Sequence, residues 1–153
     1  MKRIEVKLAL PVVAPLLDVI KGLADGLRKN LAAPLGLSDL DAEFDAQWTQ
    51  ELVEAQTADV AALLAMFNEE FFSDGVIAFD EDNAEPIVRA TAAIRLRLRE
   101  RYLKTMGDEA LESGNVALEK LDESVRKAFM CYLFLATIQE LIIQHLDSSI
   151  LGS

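Results

Sequence analysis

The stretch that most constrains the fold is residues 128–146, AFMCYLFLATIQELIIQHL, in which 14 of 19 residues are apolar and the first nine run without a polar residue. At 100° per residue, Arg126, Thr137, Glu140 and Gln144 gather into one narrow stripe, and apolar side chains occupy nearly all the remaining circumference. Such a helix must be surrounded by helices of its own chain, or by some of these and a second copy. We expect only the polar stripe to face water.

The residues before this stretch predict where the closing helix begins. Asp122 is a suitable N-cap, and Glu123 lies in the first turn, where the helix dipole favours an anion. A membrane-spanning helix needs about 18 or more apolar residues in succession, whereas the uninterrupted run here is nine. We therefore expect no membrane partner.

Length and composition predict one globular domain over residues 1–153. A folded chain of this size buries roughly 70% of its unfolded surface. The sequence has 52% apolar residues with only 7 Gly and 4 Pro, which favours a helix-rich domain over disorder. One cysteine and the lack of a continuous apolar leader predict a reducing, cytoplasmic location without disulfides.

Charge is distributed unevenly along the chain. Residues 1–30 carry six Lys/Arg and three Asp/Glu, residues 31–90 carry one and 14, and residues 91–153 carry eight and nine, for a net charge of −11. Because phosphate binding needs a cationic surface, the acidic middle segment argues against nucleic acid as a partner. A basic partner, or solubility alone, accounts for it better.

Two short strands are predicted. Residues 3–10 alternate between apolar and charged side chains, which is typical of a half-buried strand. Residues 116–118 are predicted to form a second short strand that pairs with the first. Residues 76–79 are a further candidate strand.

Three helices are predicted before the closing one. Pro11 and Pro15 end the first strand and start a helix over 14–33, and Pro86 suits the first turn of a helix over 86–106. Between them lies a helical pattern over 38–72.

The 38–72 pattern begins with Ser38 as a candidate N-cap. Trp48 and Leu52 belong to an amphipathic face that also includes Leu40 and Phe44. A single helix of about 35 residues would be long against the usual 10–14 residues, so we expect two helices or a kink near residues 56–57.

These elements together predict the fold class. We expect a mainly α, single-domain helical bundle around the buried C-terminal helix. A small two-stranded β element, at about 3–10 and 116–118, is expected beside it.

No residue pattern typical of a catalytic or metal site is present. His145 is the single histidine, which excludes Glu-x-x-His di-iron pairs and zinc sites. The acidic loop 80–85 lacks the glycine that a calcium loop needs at its sixth position. Glu69, Glu70 and Asp74 are the closest carboxylate cluster, and we expect them to be a solvated helix end. We predict no enzyme, no metal and no cofactor.

The run IRLRLRER places Arg95, Arg97, Arg99 and Arg101 at every second position. On a helix these four spread over about 240° and cannot form one flat phosphate-binding face, whereas on a strand they would. Because the surrounding pattern is helical, we expect their stems to cover apolar surface and their heads to pair with the acidic segment 39–85. Binding of a phosphorylated or acidic partner is the alternative.

Cys131 lies in the middle of the apolar run. Burial there would keep it a neutral thiol, so an inert core residue is favoured and a redox-sensitive thiol is the alternative. His145 lies at the end of the last helix, where we expect a helix-end cation and no catalytic role.

Three segments carry a family resemblance. IEVKLALPVVAPLLDVI runs from a strand into a Pro-started helix, DEDNAEPIVRATAAIRLRLRERYL places an acidic loop before an arginine-bearing helix, and VALEKLDESVRKAFMCYLFLATIQELI leads into an apolar helix. In these features the chain resembles a bacterial family known as domain of unknown function 2017, some members of which are encoded beside the Clp protease adaptor. The chain differs in its long helical middle over 40–72, and in having Met130 and Tyr132 where the family has a tryptophan. The resemblance implies a helical fold and a non-enzymatic role, and names no partner.

The expected function follows from the missing catalytic patterns and the excess of apolar helix surface. We expect a cytoplasmic regulatory or adaptor-like protein that acts through protein–protein interaction, as a homodimer. A helical protein that binds a small apolar ligand between its helices is the alternative. A transcriptional regulator would need a locally basic helix, which the charge distribution hardly provides.

Overall fold

The computed structural model describes residues 3–28, 42–104, 106–113 and 117–146. Its elements are, in order, β1 (Arg3–Lys7), α1 (Leu10–Leu27), α2 (Ala42–Ala65), α3 (Glu69–Asp74), β2 (Val76–Asp80), α4 (Ala84–Arg101), α5 (Asp108–Ser113) and α6 (Glu123–His145), with a 3-10 helix at Leu118–Lys120. The mainly α fold with a small two-stranded β element is confirmed.

The predicted partner of the first strand is wrong. β1 pairs antiparallel with β2, in the register Arg3↔Asp80 to Lys7↔Val76. Of residues 116–118, position 116 lies outside the described residues, and Leu118 begins the 3-10 helix. The Arg126 guanidinium stabilises that turn, because it donates to the Leu118 carbonyl at 2.9 Å and to the Leu121 carbonyl at 3.0 Å.

The turn into β2 depends on one glycine. Gly75 ends α3 in the left-handed conformation with φ 75°, and its N–H donates to the Phe71 carbonyl. A Cβ at this position would lie 2.6 Å from the Leu8 carbonyl oxygen, and the Leu8 N–H donates to the Gly75 carbonyl at 2.7 Å. Only glycine combines this φ with such a close approach of backbone. β2 is thereby brought alongside β1.

The helical pattern over 38–72 is two helices, α2 and α3, and the break lies at residues 66–68 instead of 56–57. α2 continues past Thr57, where the hydroxyl of Thr57 donates to the Val53 carbonyl and the side-chain amide of Gln56 donates to the Leu27 carbonyl of α1. The Asn68 side chain caps α3 by accepting the Phe71 N–H at 3.2 Å. The predicted N-cap, Ser38, lies outside the described residues.

The bounds of the other helices differ from the predictions by a turn or less at their N-termini. α1 begins at Leu10, with Pro11 in its first turn, where a missing N–H costs nothing. The predicted end of this helix, near residue 33, lies outside the described residues. α4 begins at Ala84, and it ends at Arg101, one turn earlier than expected.

α6 lies in the core, as its composition predicted. It packs against α4 and α1, and the buried residues of α6 are Ala128, Phe129, Cys131, Tyr132, Leu135, Ile138 and Ile142. Thr137, Glu140 and Gln144 face water, as expected. Ile143 is also 60% exposed, so the expectation that only the polar stripe faces water is wrong.

α6 also bears on the membrane question. By length and composition it is long and apolar enough to cross a membrane, and it is the single such helix among the described residues. The short uninterrupted run therefore does not by itself exclude a spanning helix. The core helix of a soluble protein passes the same test, and 39% of the apolar window of α6 is buried, on the side that packs against α4 and α1.

Candidate functional site

The four predicted arginines lie on α4, and they do not converge. Arg95 and Arg97 are about 200° apart around the helix axis. Arg95 turns toward α6, where its guanidinium lies 4.4 Å from the centre of the Tyr132 ring and donates to the Gln139 side-chain oxygen. Gln139 in turn donates to the Val88 carbonyl at 3.2 Å. Arg95 therefore ties α4 to α6 and contacts no residue of the acidic segment in these interactions.

The other three arginines have different surroundings. The Arg97 side chain is only 18% exposed, and it lies 3.5 Å from the Glu100 carboxylate. Arg99 and Arg101 are exposed. The Arg101 guanidinium lies 3.7 Å from the place that a Cβ at Gly26 would occupy, so its side chain crosses from α4 to α1. Arg95 and Arg101 thus provide contacts between helices, and the geometry of the four positions does not build one phosphate-binding face.

The arginine that pairs with the acidic segment is Arg89, which the sequence did not single out. Its guanidinium donates to both Asp59 carboxylate oxygens, at 3.0 and 2.9 Å, and to Glu85 at 2.6 Å. The hydrogen bond to Asp59 raises the pKa of Arg89, against a smaller opposing effect of burial. This fork joins α2 to α4. The Glu85–Arg89 spacing of one helical turn is the sequence feature that could have indicated part of it.

Cys131 is fully buried in α6. Burial raises the pKa of its thiol from 9.0 to about 12, because the apolar surroundings disfavour the thiolate. At neutral pH the side chain is therefore a protonated thiol without access to solvent. This surrounding is typical of an inert core cysteine and not of a nucleophile or a redox sensor.

Glu70 of α3 and Asp80 at the end of β2 border an open hollow of about 380 Å³. Arg3, Asn68 and Asn83 also contribute polar groups to its lining, and alanines of α2 contribute apolar surface. Glu70 is exposed, and the Asp80 carboxylate accepts the N–H groups of Asp82 and Asn83 in the turn. Within the described ranges no group of three potential metal ligands occurs.

A second, more apolar surface lies on the first half of α2, and we call it the Trp48 surface. Trp48 is 46% exposed and Leu52, one turn later, is 41% exposed. Together with Glu51 they line a hollow of about 180 Å³. Glu51 places an exposed carboxylate beside this apolar pair. Sequence periodicity identified these positions as one face, and in the structure Trp48 and Leu52 of that face are partly exposed.

Comparison with known proteins identifies one family. No curated protein and no solved structure matches the chain. The sequence model of a family described as domain of unknown function (DUF2017) matches residues 32–146. This region includes α2 to α6 and covers most of the chain, and β1 and α1 precede it. The chain therefore belongs to the family described as domain of unknown function 2017.

Proposed function

We propose that this protein is a cytoplasmic regulatory or adaptor-like protein that acts by binding another protein, and that it does so as a homodimer. The observation that carries the proposal is the Trp48 surface. Tryptophan is among the residues that most often contribute large binding energies at protein interfaces, and it does so in pockets that a partner closes off from water. Trp48 and Leu52 expose this kind of surface on a rigid helix.

The charge around the Trp48 surface indicates the chemistry of the partner. Glu51 is exposed and lines the hollow beside Trp48 and Leu52. Complementary charge at the rim of an interface speeds association and selects the partner. We therefore expect a partner that inserts an apolar side chain beside Leu52 and places Lys or Arg opposite Glu51.

The proposed role is non-enzymatic. The side chains that are candidates for catalysis or binding instead make contacts that stabilise the fold. Arg95 contacts α6, Arg89 joins α4 to α2, and Cys131 is a buried thiol. Turnover of a substrate by the purified protein, in a broad hydrolase and transferase screen, would contradict the proposal.

The alternative function, binding of a small apolar ligand, finds less support. A ligand of that kind needs an enclosed, mostly apolar pocket. Among the described residues, two hollows of about 500 and 380 Å³ are open to solvent and are bordered by charged side chains such as Arg99 and Glu70. A more enclosed, apolar hollow between α1 and α2, lined by Leu27, Val60 and Leu64 among others, has only about 170 Å³, which is small for a ligand pocket. Native mass spectrometry of the purified protein tests this alternative, because a retained lipid-like mass would favour it.

The test of the proposal uses Trp48 as its own reporter, since the chain has one tryptophan. Proteins retained by the chain from a cytoplasmic extract are identified, produced separately and titrated against it. A partner that covers Trp48 should shift its emission to shorter wavelength, and binding should weaken as salt screens the acidic rim.

A matched pair of variants makes the test specific. The double variant Trp48→Ser with Leu52→Ser should lose the partner. The control, Val12→Ser with Ile143→Ser, removes two comparably exposed apolar side chains on other helices and should keep it. Equal retention of every partner by both double variants would refute the Trp48 surface as the binding site.

A further inference from the structure

β1 has one edge that pairs with β2 and one edge that pairs with no described strand, since the sheet of the described residues has the order β1-β2 only. Leu8, which follows β1, lies opposite Gly75 in the continued register, and the Leu8 N–H donates to the Gly75 carbonyl. In an antiparallel pair, hydrogen-bonded and non-hydrogen-bonded pairs alternate. Ile4 and Val6 therefore direct their backbone groups toward β2, and Arg3, Glu5 and Lys7 direct theirs outward.

A contact on β2 supports this assignment independently. Asp80 lies opposite Arg3, and its N–H donates to the Asn83 side chain at 2.8 Å instead of to β1. The Arg3↔Asp80 pair is thus of the non-hydrogen-bonded type, as the alternation from Leu8 requires. An exposed strand edge with unpaired backbone groups is a template for pairing with another strand.

We propose that the open edge of β1 pairs with β1 of a second copy, antiparallel and with Val6 opposite Val6 on the two-fold axis, to form a four-stranded sheet. This inference rests on the homodimeric form proposed above and supplies its interface. In this register Glu5 lies opposite Lys7 of the second copy, twice by symmetry. On the other face, Ile4 lies opposite Leu8, and Val6 opposite Val6.

Charge and apolar contact select this register over its neighbours. Moving the axis to Glu5 would place Glu5 opposite Glu5 and Arg3 opposite Lys7, and like charges directly opposite each other are destabilising. Moving it to Ile4 would place Arg3 opposite Glu5, but Val6 and Leu8 would then extend past the described start of the second β1 strand and would lack an apolar side chain opposite. The Val6 axis alone combines two opposite-charge pairs with an all-apolar inner face.

The burial of the strand fits the same arrangement. Val6 and Ile4 lie opposite Ile77 and Phe79, which are 1% and 0% exposed, yet both are only half-buried, as is Leu8. The sheet covers the core on this face, but its β1 side is uncovered. Since a two-fold axis normal to the sheet places both helical bodies on the same side, the second copy would cover these side chains.

The first experiment measures self-association by sedimentation velocity over a range of concentrations, with the full chain. We expect a monomer–dimer equilibrium. Glu5→Lys and Lys7→Glu should each weaken the dimer about tenfold, because each replaces two attractive pairs by two repulsive ones. Their equimolar mixture, and the double variant Glu5→Lys with Lys7→Glu, should restore it.

Lys21→Glu is the matched control, because it makes the same change in net charge as Lys7→Glu at an exposed site on α1. It should leave the dimer unchanged. Because all these positions are exposed, we expect each variant to fold. An unaltered circular dichroism spectrum will check this. A monomer at every concentration, or a dimer that responds equally to Lys7→Glu and Lys21→Glu, would overturn the inference.

The register is tested by disulfide formation. Residues directly opposite in a non-hydrogen-bonded pair have Cα atoms about 4.5 Å apart, within the range of a disulfide. Val6→Cys should therefore crosslink with itself, and Ile4→Cys should crosslink only with Leu8→Cys. The buried Cys131 can stay in place. Self-crosslinking of Ile4→Cys in place of Val6→Cys would contradict the register.

The two proposals fail separately. If Lys7→Glu is monomeric and still shifts the Trp48 emission with the identified partner, the dimer is not needed for partner binding and both surfaces stand. A monomeric wild type that binds the partner removes the homodimer together with its β1 interface, and partner binding at the Trp48 surface stands. If the β1 dimer forms and the double variant Trp48→Ser with Leu52→Ser binds the partner as the wild type does, only the Trp48 surface is refuted.

Discussion

We call α3, Gly75 and the start of β2 the α3 corner. Like the Trp48 surface on α2, the α3 corner combines aromatic and acidic residues. The corner differs because its aromatic core residue is buried and both ends of its helix are fixed by specific contacts. Phe71 is fully buried and packs edge-to-face on Phe67 at 5.2 Å between ring centres. Asn68 caps the helix, and Gly75 joins it to the strand. On the Trp48 surface, by contrast, Trp48 and Leu52 stay about half exposed.

This difference in burial shows how two regions with the same types of residue can serve stability in one case and binding in the other. In the corner, a cap, a left-handed glycine and a buried ring specify the same conformation, and agreement among local features is what gives a single structure. On the first half of α2, regular helix geometry presents apolar residues that the described core does not cover. Substitutions in the corner should therefore affect stability, and substitutions on the Trp48 surface should affect binding.

The largest effect is expected within the corner, where Phe71 and its neighbour Phe72 form a matched pair. Phe71 is 0% exposed, and Phe72 is 52% exposed. Phe71→Ala should lower the free energy of unfolding by about 3–5 kcal/mol, because it removes a buried ring and leaves a cavity. Phe72→Ala should cost less than about 1 kcal/mol. Urea denaturation of both variants measures the difference, and equal losses would contradict the proposed packing.

The second-largest change in stability is expected at Gly75, and Gly22 provides the comparison. Gly75→Ala should lower the free energy of unfolding by about 2–3 kcal/mol, because it places a side chain at positive φ and against the Leu8 carbonyl. Gly22 lies within α1, where an added Cβ would meet no neighbouring element within 4 Å. Gly22→Ala should therefore raise the stability by up to about 1 kcal/mol, through helix propensity. Thermal unfolding should move the two variants in opposite directions, and a shift of both in the same direction would be inconsistent with these surroundings.

Much of the fold was predictable because its features are local. The apolar run predicted α6 and its central position, Asp122 predicted where α6 begins, and the alternation from residue 3 predicted β1. The pairing of β1 was not predictable, because its partner lies some seventy positions away and the triplet at 116–118 is too short to distinguish a strand from a turn. Gly75 decides the pairing through a backbone contact with Leu8 that no pattern contains.

The candidate site was less predictable than the fold. Periodicity placed Trp48 and Leu52 on one face, but periodicity does not say whether a face packs on the core or stays open. The outward direction of the Glu5 and Lys7 backbone groups depends on the pairing with β2, so it could not be derived before that pairing was known. The arginine run was conspicuous in sequence, whereas the fork between α2 and α4 comes from Arg89.

The smallest effect is expected in the second half of α2, where Asp59 joins the helix to Arg89 of α4. The Asp59 side chain is 14% exposed and that of Arg89 is 51% exposed, so solvent screens the pair from one side. Asp59→Asn keeps the shape and removes the charge, and Arg89 keeps Glu85 as a partner. We expect a loss of about 0.5–1 kcal/mol that shrinks as salt is added, since exposed pairs of this kind contribute little and are screened. Glu85→Gln, the control, should cost about 0.3–0.5 kcal/mol. A loss several times larger for Asp59→Asn, measured by urea denaturation at low and high salt, would mean that the position of the whole helix depends on this one pair, and the Trp48 surface would then be fixed as firmly as the α3 corner.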